Sequence, residues 1–390
     1  MDNTVLSLKS HDMNGSTKTV CDLIYLVTCA VNEYTPDADF CREMDLEAVY
    51  RLAQFHFLSS AAAYALEKVM ELPRAFDQAK KKAIHKLSLF DIERVKILAA
   101  LEQKGVWYMP LKGILLQSCY PNAMMREMND NDILFDREKP DVVKAVMESL
   151  GYTCVSYDMF NHDVYEKPPT MEFEMHRALF DSEQYPEFAA YFDHIGERMI
   201  KDSGNKCGYH LSDEDFYLYM ICHMNKHYIN GGTGLRSLAD VYLFNKARYD
   251  GMDQAYLSRE LDALALTEFE QKVREMAKKL FCGEEFDVAE SEETMYFVRS
   301  GANGTSAHWK ENNLFRSMGG EDTVKAKQKY LLKRVFISGD ELKKQYPTVY
   351  KHKILYPVLL VYRPIKGAIT HPKGLINEVK DVKKFKIRNK

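Results

Sequence analysis

The chain has 390 residues, of which 46% are hydrophobic and 28% are charged, the balance of an ordinary globular protein. That length suggests two or three domains at roughly 150 residues each. The formal net charge of −4 provides no overall positive field to attract nucleic acid. No apolar run reaches the ~18 residues of a membrane span, and the polar opening segment does not resemble a signal peptide. The eight cysteines are scattered without a C-x-x-C pair, so we expect reduced thiols in a cytoplasmic protein.

The first predicted region, residues 1–104, is helical. Apolar residues recur at intervals of three and four in DLEAVYRLAQFHFLSSAAAYALEKVM and again in RAFDQAKKKAIHKLSLFDIERVKILAALEQKG, the period of an amphipathic helix. Pro73 lies between the two stretches and marks their join. The sequence therefore predicts two long helices here.

The second predicted region, residues 105–182, is a small mixed α/β unit. Its first strand, VWYMPL, leads into a helix, GILLQSCY, which Pro121 ends, and DILF then predicts a buried strand. The segment EKPDVVKAVMESLGY predicts an amphipathic helix that closes at Gly151. Alternating polar and apolar residues then predict antiparallel strands in TCVSYDM, HDVYEK and MEFEMHRALF.

The third predicted region, residues 183–390, returns to helix as far as about residue 285. Ser212 and Asp215 resemble a capping box at the start of its clearest helix. Residues 283–325 read as irregular, and the last ten residues form a basic tail that is more typical of a solvated end than of a phosphate-binding one. The fold class predicted from the whole chain is α+β, with a small mixed sheet embedded between mostly helical regions.

Two aspartates, Asp130 and Asp132, stand one residue apart at the start of the predicted strand DILF. Side chains alternate in a strand, so both carboxylates project to the same side. Like charges this close destabilise the fold unless a cation lies between them. Mg²⁺, or Mn²⁺, is the natural candidate because it prefers carboxylate oxygens. The later strand MEFEMH offers a second same-face acidic pair, Glu172 and Glu174, from which a third ligand is expected.

A phosphate-binding turn is predicted close to the acids. Lys112 and Gly113 end one strand and start a helix, where Gly113 permits close backbone approach and Lys112 adds a positive charge. Arg126 lies four residues before Asp130, and its fork of donors suits a triphosphate tail. This ordered set of strand, Lys-Gly, helix, Arg and Asp-x-Asp is more selective than any of its parts.

The string LKG…YP…R…DNDILF, followed by a helix ending in LGY and then by EMH, resembles the nucleotidyltransferases of the DNA polymerase beta superfamily. It is most similar to the group described as uncharacterised nucleotidyltransferases, which show Lys-Gly where the superfamily has Gly-Ser. The resemblance implies a nucleotidyltransferase core at residues 105–182. It also implies that Lys112 and Gly113 form a nucleotide-phosphate turn with Arg126 as its basic partner. Asp130 and Asp132 would be the metal-binding pair, and Glu174 the third carboxylate. Asn131 departs from the family pattern, which has an apolar residue between the two acids.

The resemblance extends to the helical segment HMNKHYINGGTGLRSLADVYLF, where the matching positions are His223, His227, Gly234, Arg236 and Asp240. His223 and His227 share one helix face and could bind zinc together with Asp240. Alternatively, His227 or Arg236 lines the cleft and binds nucleotide phosphates or the acceptor. A structural role is also open, with Arg236 and Asp240 forming an ion pair on one helix.

The function predicted from these residues is metal-dependent transfer of a nucleoside monophosphate from a nucleoside triphosphate, with ATP as the expected donor, to an acceptor hydroxyl. Asp130, Asp132 and Glu174 would be both the metal ligands and the catalytic groups. A catalytically silent nucleotide-binding protein with a regulatory or scaffold role is the first alternative, and a zinc hydrolase centred on His223 and His227 is the second. The acceptor, the base preference and the oligomeric state stay open, although the acidic chain does not favour a nucleic-acid acceptor.

Overall fold

The computed structural model describes residues 15–283, 291–317 and 346–360, with single positions at 325, 328 and 362. The predicted basic tail lies outside the described residues. Within the described part, two compact units separate, the first in Met1–Tyr228 and Thr233–Asn303 and the second in Ile229–Gly232 and Gly304–Lys390. The predicted division at residues 104 and 182 stays a prediction.

The N-terminal part of the first unit is helical up to residue 103, as the sequence predicts. Its helices are α1 (Gly15–Val31), α2 (Ala38–Arg42), α3 (Leu46–Phe55), α4 (Ser59–Leu66) and α5 (Arg74–Gln103). One predicted helix, over residues 45–70, is interrupted between α3 and α4 because Phe57 takes a left-handed conformation at φ 55°. Helix α5 begins directly after Pro73, as predicted.

A five-stranded mixed sheet follows the first helices. Its elements are β1 (Tyr108–Pro110), α6 (Gly113–Leu116), β2 (Asn131–Phe135), α7 (Pro140–Ser149), β3 (Thr153–Ser156), β4 (His162–Lys167) and β5 (Met171–His176). The strand order is β1-β2-β5-β4-β3, and every neighbouring pair is antiparallel except β2 and β5, which run parallel. The α+β prediction is therefore confirmed.

The two faces of the sheet pack into different cores. On β2, Ile133 and Phe135 join a core built with α5 and α7, whereas Leu134 joins the larger core that contains most of the helices. Strand side chains alternate between faces, so Asp132 projects on the side of Leu134, toward the helical core. This alternation directs the acids of β2 toward the helices that follow the sheet.

The C-terminal half of the first unit is mostly helical. Its elements are α8 (Pro186–Phe192), β6 (Ile200–Lys201), β7 (Tyr209–His210), α9 (Asp213–Ile229), α10 (Leu235–Arg248), α11 (Gln254–Ala263), α12 (Thr267–Phe281) and α13 (Glu292–Ser300). The β6–β7 pair interrupts the region predicted as helix. Ser212 caps α9 as expected, but Asp215 accepts hydrogen bonds from Arg198 and Tyr256.

The second unit contributes two further described helices, α14 (Ser306–Ser317) and α15 (Pro347–Lys351). The helices α13 and α14 show that the prediction of irregular structure over residues 283–325 is wrong at residues 292–300 and 306–317, and residues 284–290 and 318–324 of that span lie outside the described part of the chain. The glycine-containing turn at residues 301–305 separates the two helices and breaks the apolar period that would reveal them. Among the described residues, no helix has both the length and the apolar character that a membrane crossing requires.

Candidate active site

The parallel pairing of β2 and β5 brings the acidic residues of both strands together. Asp132 lies directly opposite Glu174 in the register. Asp130, immediately before β2, and Glu172, two residues before Glu174, extend this acidic face because side chains two apart share a side. Carboxylate oxygens of Asp130, Glu172 and Glu174 all lie within 4.8 Å of one another. Glu172 and Glu174, the two candidates for the third metal ligand, therefore lie side by side.

Asp132, next to this acidic cluster, has two basic partners of its own. Its Oδ1 accepts a hydrogen bond from Lys112 Nζ at 2.5 Å and lies 2.8 Å from His176 Nε2. Burial alone would raise the pKa of Asp132, but the charge of Lys112 and the hydrogen bond from His176 hold it well below its usual range. Asp132 is therefore an anion already paired within the protein. Sequence analysis does not predict the contact of His176 with Asp132, although the place of His176 two residues after Glu174 is part of the family pattern.

The three clustered carboxylates carry excess negative charge. Burial raises the pKa of Asp130, and the neighbouring charge of Asp132 raises it further. Burial and Asp130 likewise raise the pKa of Glu172. For Glu174, burial acts in the same direction, but a hydrogen bond from His176 leaves its pKa lowered. Convergent carboxylates that penalise one another's charge are the oxygen-ligand set that a hard divalent cation relieves, so these residues fit such an ion.

The Lys112–Gly113 turn lies beside the acids, and its geometry is tight. Lys112 adopts a left-handed backbone conformation at φ 46°, which is unfavourable for any residue with a side chain. The N–H of Leu111 donates to the Asp132 carbonyl at 2.9 Å, so this turn is tied to β2. A Cβ on Gly113 would lie 2.5 Å from Arg126 Nη1. Glycine is therefore needed here to make room for Arg126.

Arg126 is held by a buried ion pair with Asp240 of α10. Its Nε and Nη2 each donate to one Asp240 oxygen at 2.8 Å, and the Tyr120 hydroxyl donates to the same carboxylate at 2.8 Å. The side chains of both partners are no more than 7% exposed. Asp240 thus pairs with Arg126, 114 residues away, and the predicted Arg236–Asp240 pair on one helix is not how this carboxylate is used.

Arg236, like Arg126, lines a cavity beside the acids, and it keeps hydrogen-bond donors that are not used within the described protein. Its Nη1 donates to the Glu127 carbonyl at 3.1 Å, and the guanidinium lies 5.2 Å from the centre of the Phe57 ring. Its buried Nε finds no hydrogen-bond partner among the described residues. Burial and the nearby charge of Arg126 lower the pKa of Arg236. This cationic side chain therefore faces the cavity with hydrogen-bonding capacity left for an anion.

His223 and His227 lie on one face of α9, as the spacing predicts, with their Nε2 atoms 3.2 Å apart. Burial lowers the pKa of both, to about 3 for His227, so both rings are neutral at physiological pH. Lys226, between them in the sequence, has a pKa lowered by burial to about 8. With Asp240 bound to Arg126, the described structure does not gather His223, His227 and Asp240 into a metal-binding group.

A single cavity of about 790 Å³ joins these groups. Its lining combines the acids of β2 and β5 with basic and histidine side chains of α9 and α10. Tyr219 of α9 also lines it, and its buried hydroxyl has no hydrogen-bond partner among the described residues. Tyr219 and His162 are cavity residues that sequence analysis does not identify, since nothing in their spacing marks them.

The contacts of Asn131 account for its departure from the family pattern, which has an apolar residue at this position. Its side chain is fully buried, and Oδ1 accepts a hydrogen bond from Arg94 Nη1 of α5 at 2.9 Å. An apolar residue here would leave the Arg94 guanidinium without that acceptor. The substitution therefore anchors β2 to α5 on the face opposite the acids.

Comparison with known proteins gives one family. Residues 42–282, well over half of the chain, match the model of a family described as uncharacterised nucleotidyltransferase. No curated protein matches. Among solved structures, the solution structure of the antibiotic-resistance factor ANT(2'')-Ia matches at 14% identity, covering 53% of this chain and 92% of that chain, with a TM-score of 0.23.

Proposed function

The chain belongs to the uncharacterised nucleotidyltransferase family, and from this membership and the geometry of the cavity we propose a metal-dependent reaction. A nucleoside monophosphate passes from a nucleoside triphosphate, with ATP as the expected donor, to an acceptor hydroxyl, and pyrophosphate leaves. The observation that carries the proposal is the parallel pairing of β2 with β5, which sets Asp132 opposite Glu174 beside a cavity that basic side chains also line.

Asp130, Glu172 and Glu174 are the residues that would hold a divalent cation, Mg²⁺ or Mn²⁺. Their oxygens already lie within 4.8 Å of one another, and the raised pKa values of Asp130 and Glu172 reflect charge that a cation would neutralise. When bound, such an ion supplies electrostatic stabilisation to the charge that develops on the transferring phosphoryl group.

In this scheme Lys112 has two alternative partners, the Asp132 carboxylate and the phosphates of the bound triphosphate. In the structure its ammonium donates a hydrogen bond to Asp132. A triphosphate in the cavity offers several negative oxygens, so the ammonium moves toward them and leaves Asp132 free to complete the predicted acidic set. The same residue therefore neutralises phosphate charge and releases a carboxylate.

The transfer itself requires one bond exchange and one proton transfer. The acceptor oxygen forms a bond to the α-phosphorus while the bond from that phosphorus to the pyrophosphate oxygen breaks. The hydroxyl proton passes to a carboxylate of the cluster, and Glu174 is the residue that we assign to this role. Arg236 and His227, which line the same cavity together with Lys226, are the residues that we assign to phosphate binding.

Arg126 takes a different part from the one that the motif order implies. Because Asp240 occupies two of its donors, we assign it to positioning rather than to direct phosphate binding. It lies against Gly113 and so fixes the turn that carries Lys112. Three N–H groups remain, and two of them are on Nη1, which lies close to this turn.

A catalytically silent nucleotide-binding protein is the second candidate, and one observation favours it. Asp132 Oδ1 is already shared by Lys112 and His176, an arrangement that could be permanent. In that case nucleotide would bind to the basic side chains of the cavity without transfer, and the protein would act in regulation or as a scaffold.

Calorimetry and a transfer assay separate the two candidates. Titration with a non-hydrolysable ATP analogue should show binding that Mn²⁺ strengthens, and pyrophosphate release should appear with one member of a panel of sugars, antibiotics, protein side chains and RNA ends. In the double variant Asp130→Asn with Asp132→Asn, the Mn²⁺ effect and the release should both vanish. The exposed Asp39→Asn is the matched control. Unchanged release in the double variant would refute the proposal, and metal-strengthened binding with no release for any acceptor would support the silent alternative.

A further inference from the structure

Two histidines, His162 of β4 and His176 of β5, flank Glu174 on the acidic side of the cavity. The centres of the two rings are 5.0 Å apart. Ligand atoms of His162, Glu174 and His176 all lie within 4.8 Å of one another. Sequence spacing does not reveal this group because the histidines come from different strands of an antiparallel pair, in which they are direct register partners.

Asn161 determines which nitrogen of each histidine carries the proton. Its Nδ2 donates to the Ala178 carbonyl at 2.9 Å, and this fixes the orientation of the amide. The same Nδ2 lies 3.3 Å from His176 Nδ1, which must therefore accept. The proton of a neutral His176 is consequently on Nε2, where it is donated to Asp132 at 2.8 Å.

The same amide places the opposite tautomer on His162. Asn161 Oδ1 is an acceptor and lies 3.4 Å from His162 Nδ1, so that nitrogen carries the proton. His162 Nε2 then presents a lone pair to the cavity. It faces Glu174 Oε1 at 3.8 Å, so two acceptors oppose each other with no proton between them.

A divalent cation satisfies this pair without any rearrangement. Metal–ligand bonds of ~2.1 Å allow two ligands of one ion to lie up to about 4.2 Å apart, which accommodates the 3.8 Å separation. The charge of Lys112 does not prevent this, because its ammonium is bonded to Asp132. His176 is not part of the ligand set, since its Nε2 lone pair is replaced by a proton.

We propose that His162 Nε2 and Glu174 Oε1 form a second divalent-cation position, adjacent to the all-carboxylate one of Asp130, Glu172 and Glu174, with Glu174 shared by both. Imidazole nitrogen suits Mn²⁺, Co²⁺ and Zn²⁺ better than Mg²⁺, so this position selects a nitrogen-accepting cation. Water and substrate oxygens complete its coordination. This inference deepens the proposed function and rests on it for the role of Glu174.

Pulsed electron paramagnetic resonance of the full chain with Mn²⁺ tests the proposal without any transfer assay. The spectrum should show coupling from a directly bound ¹⁴N, which becomes a ¹⁵N coupling when the protein carries ¹⁵N-histidine. His162→Gln should remove this coupling and weaken Mn²⁺ binding by at least about tenfold, since even outer-shell changes cost roughly 10–100-fold. Mg²⁺ affinity should stay unchanged.

His176→Gln is the matched variant, because a glutamine amide still donates to Asp132, and the histidine coupling should persist in it. The proposal is overturned if bound Mn²⁺ shows no histidine coupling in the wild-type chain, a result that needs no variant to fold. It is also overturned if the coupling survives His162→Gln. Pyrophosphate release is measured separately: histidine coupling without release supports this inference against the proposed function, and release with carboxylate-only Mn²⁺ does the reverse.

Discussion

Replacing Asp240 with asparagine should destabilise the protein severely, although the two side chains have nearly the same shape. The Arg126 guanidinium is 6% exposed and gives two hydrogen bonds of 2.8 Å to the Asp240 carboxylate. Asn keeps the volume but removes the negative charge, so a buried cation is left without its counterion. Breaking a buried pair in this way costs about 3–5 kcal/mol of unfolding free energy. The Tyr120 hydroxyl also loses a charged acceptor, which acts in the same direction.

Urea unfolding followed by circular dichroism measures this cost directly. The control is Asp39→Asn, whose ion pair with Arg42 has side chains 89% and 61% exposed, so its loss should change the unfolding free energy by no more than about 1 kcal/mol. A double variant, Arg126→Met with Asp240→Leu, should recover most of the stability, because an apolar pair replaces a buried charge pair at little cost.

One result would refute this reasoning. If Asp240→Asn costs no more than the exposed control, while affinity for an ATP analogue falls sharply, then Arg126 is primarily a phosphate ligand. The motif order alone suggests that role. A large loss of stability with little change in analogue affinity supports the positioning role.

Three further predictions concern the same neighbourhood and the core. Gly113→Ala should cost about 1–3 kcal/mol in urea unfolding, because the added Cβ meets Arg126 Nη1 at 2.5 Å. Lys112→Ala should strengthen Mn²⁺ binding in calorimetry and weaken binding of the ATP analogue, because it frees Asp132 and removes a phosphate partner. Burial lowers the pKa of His56 to about 4 from about 6.5 unfolded, so stability is full above pH 6.5 and falls by roughly 1.4 kcal/mol per unit toward pH 4. His56→Gln should reduce the slope by about that amount in unfolding measured from pH 7 to pH 4.5, while the buried His223 and His227 keep their own contributions.

Each of these predictions has a control or a contrary outcome. Gly251 has open space where a Cβ would be added, so Gly251→Ala should cost under about 1 kcal/mol, near the usual glycine effect. Equal losses at Gly113 and Gly251 would contradict the close approach to Arg126. If Lys112→Ala moves both affinities in the same direction, its exchange between carboxylate and phosphate is wrong. An unchanged pH slope in His56→Gln would assign the acid sensitivity to another group.

Sequence periodicity is enough to predict the acidic face of the sheet. Asp130 and Asp132 are two apart in a strand, and Glu174 lies in a second strand with the same alternation, so the side on which each projects follows from local geometry. The parallel pairing that puts Asp132 opposite Glu174 requires the long connection through β3 and β4, and only the family resemblance implies it.

The partners of those acids could not be predicted, because they depend on tertiary packing. Arg236 and Asp240 have the spacing of a helical ion pair, but Asp240 is directed toward Arg126 by the packing of α10. His176 bonds to Asp132 across two strands, and His162 is brought to Glu174 by an antiparallel register. Short-range rules do not contain this information, and spacing within one element therefore favours the wrong partner for Asp240.

The left-handed backbone of Lys112 has a consequence for anyone engineering heat resistance into this enzyme. A non-glycine residue in this conformation costs on the order of 1–3 kcal/mol, which glycine would recover. Lys112→Gly would remove this strain, but it would also leave the buried Asp132 carboxylate without its ammonium partner, at a cost of about 3–5 kcal/mol. A library selected only for survival on heating should therefore keep lysine at this position, because the ion pair outweighs the backbone strain.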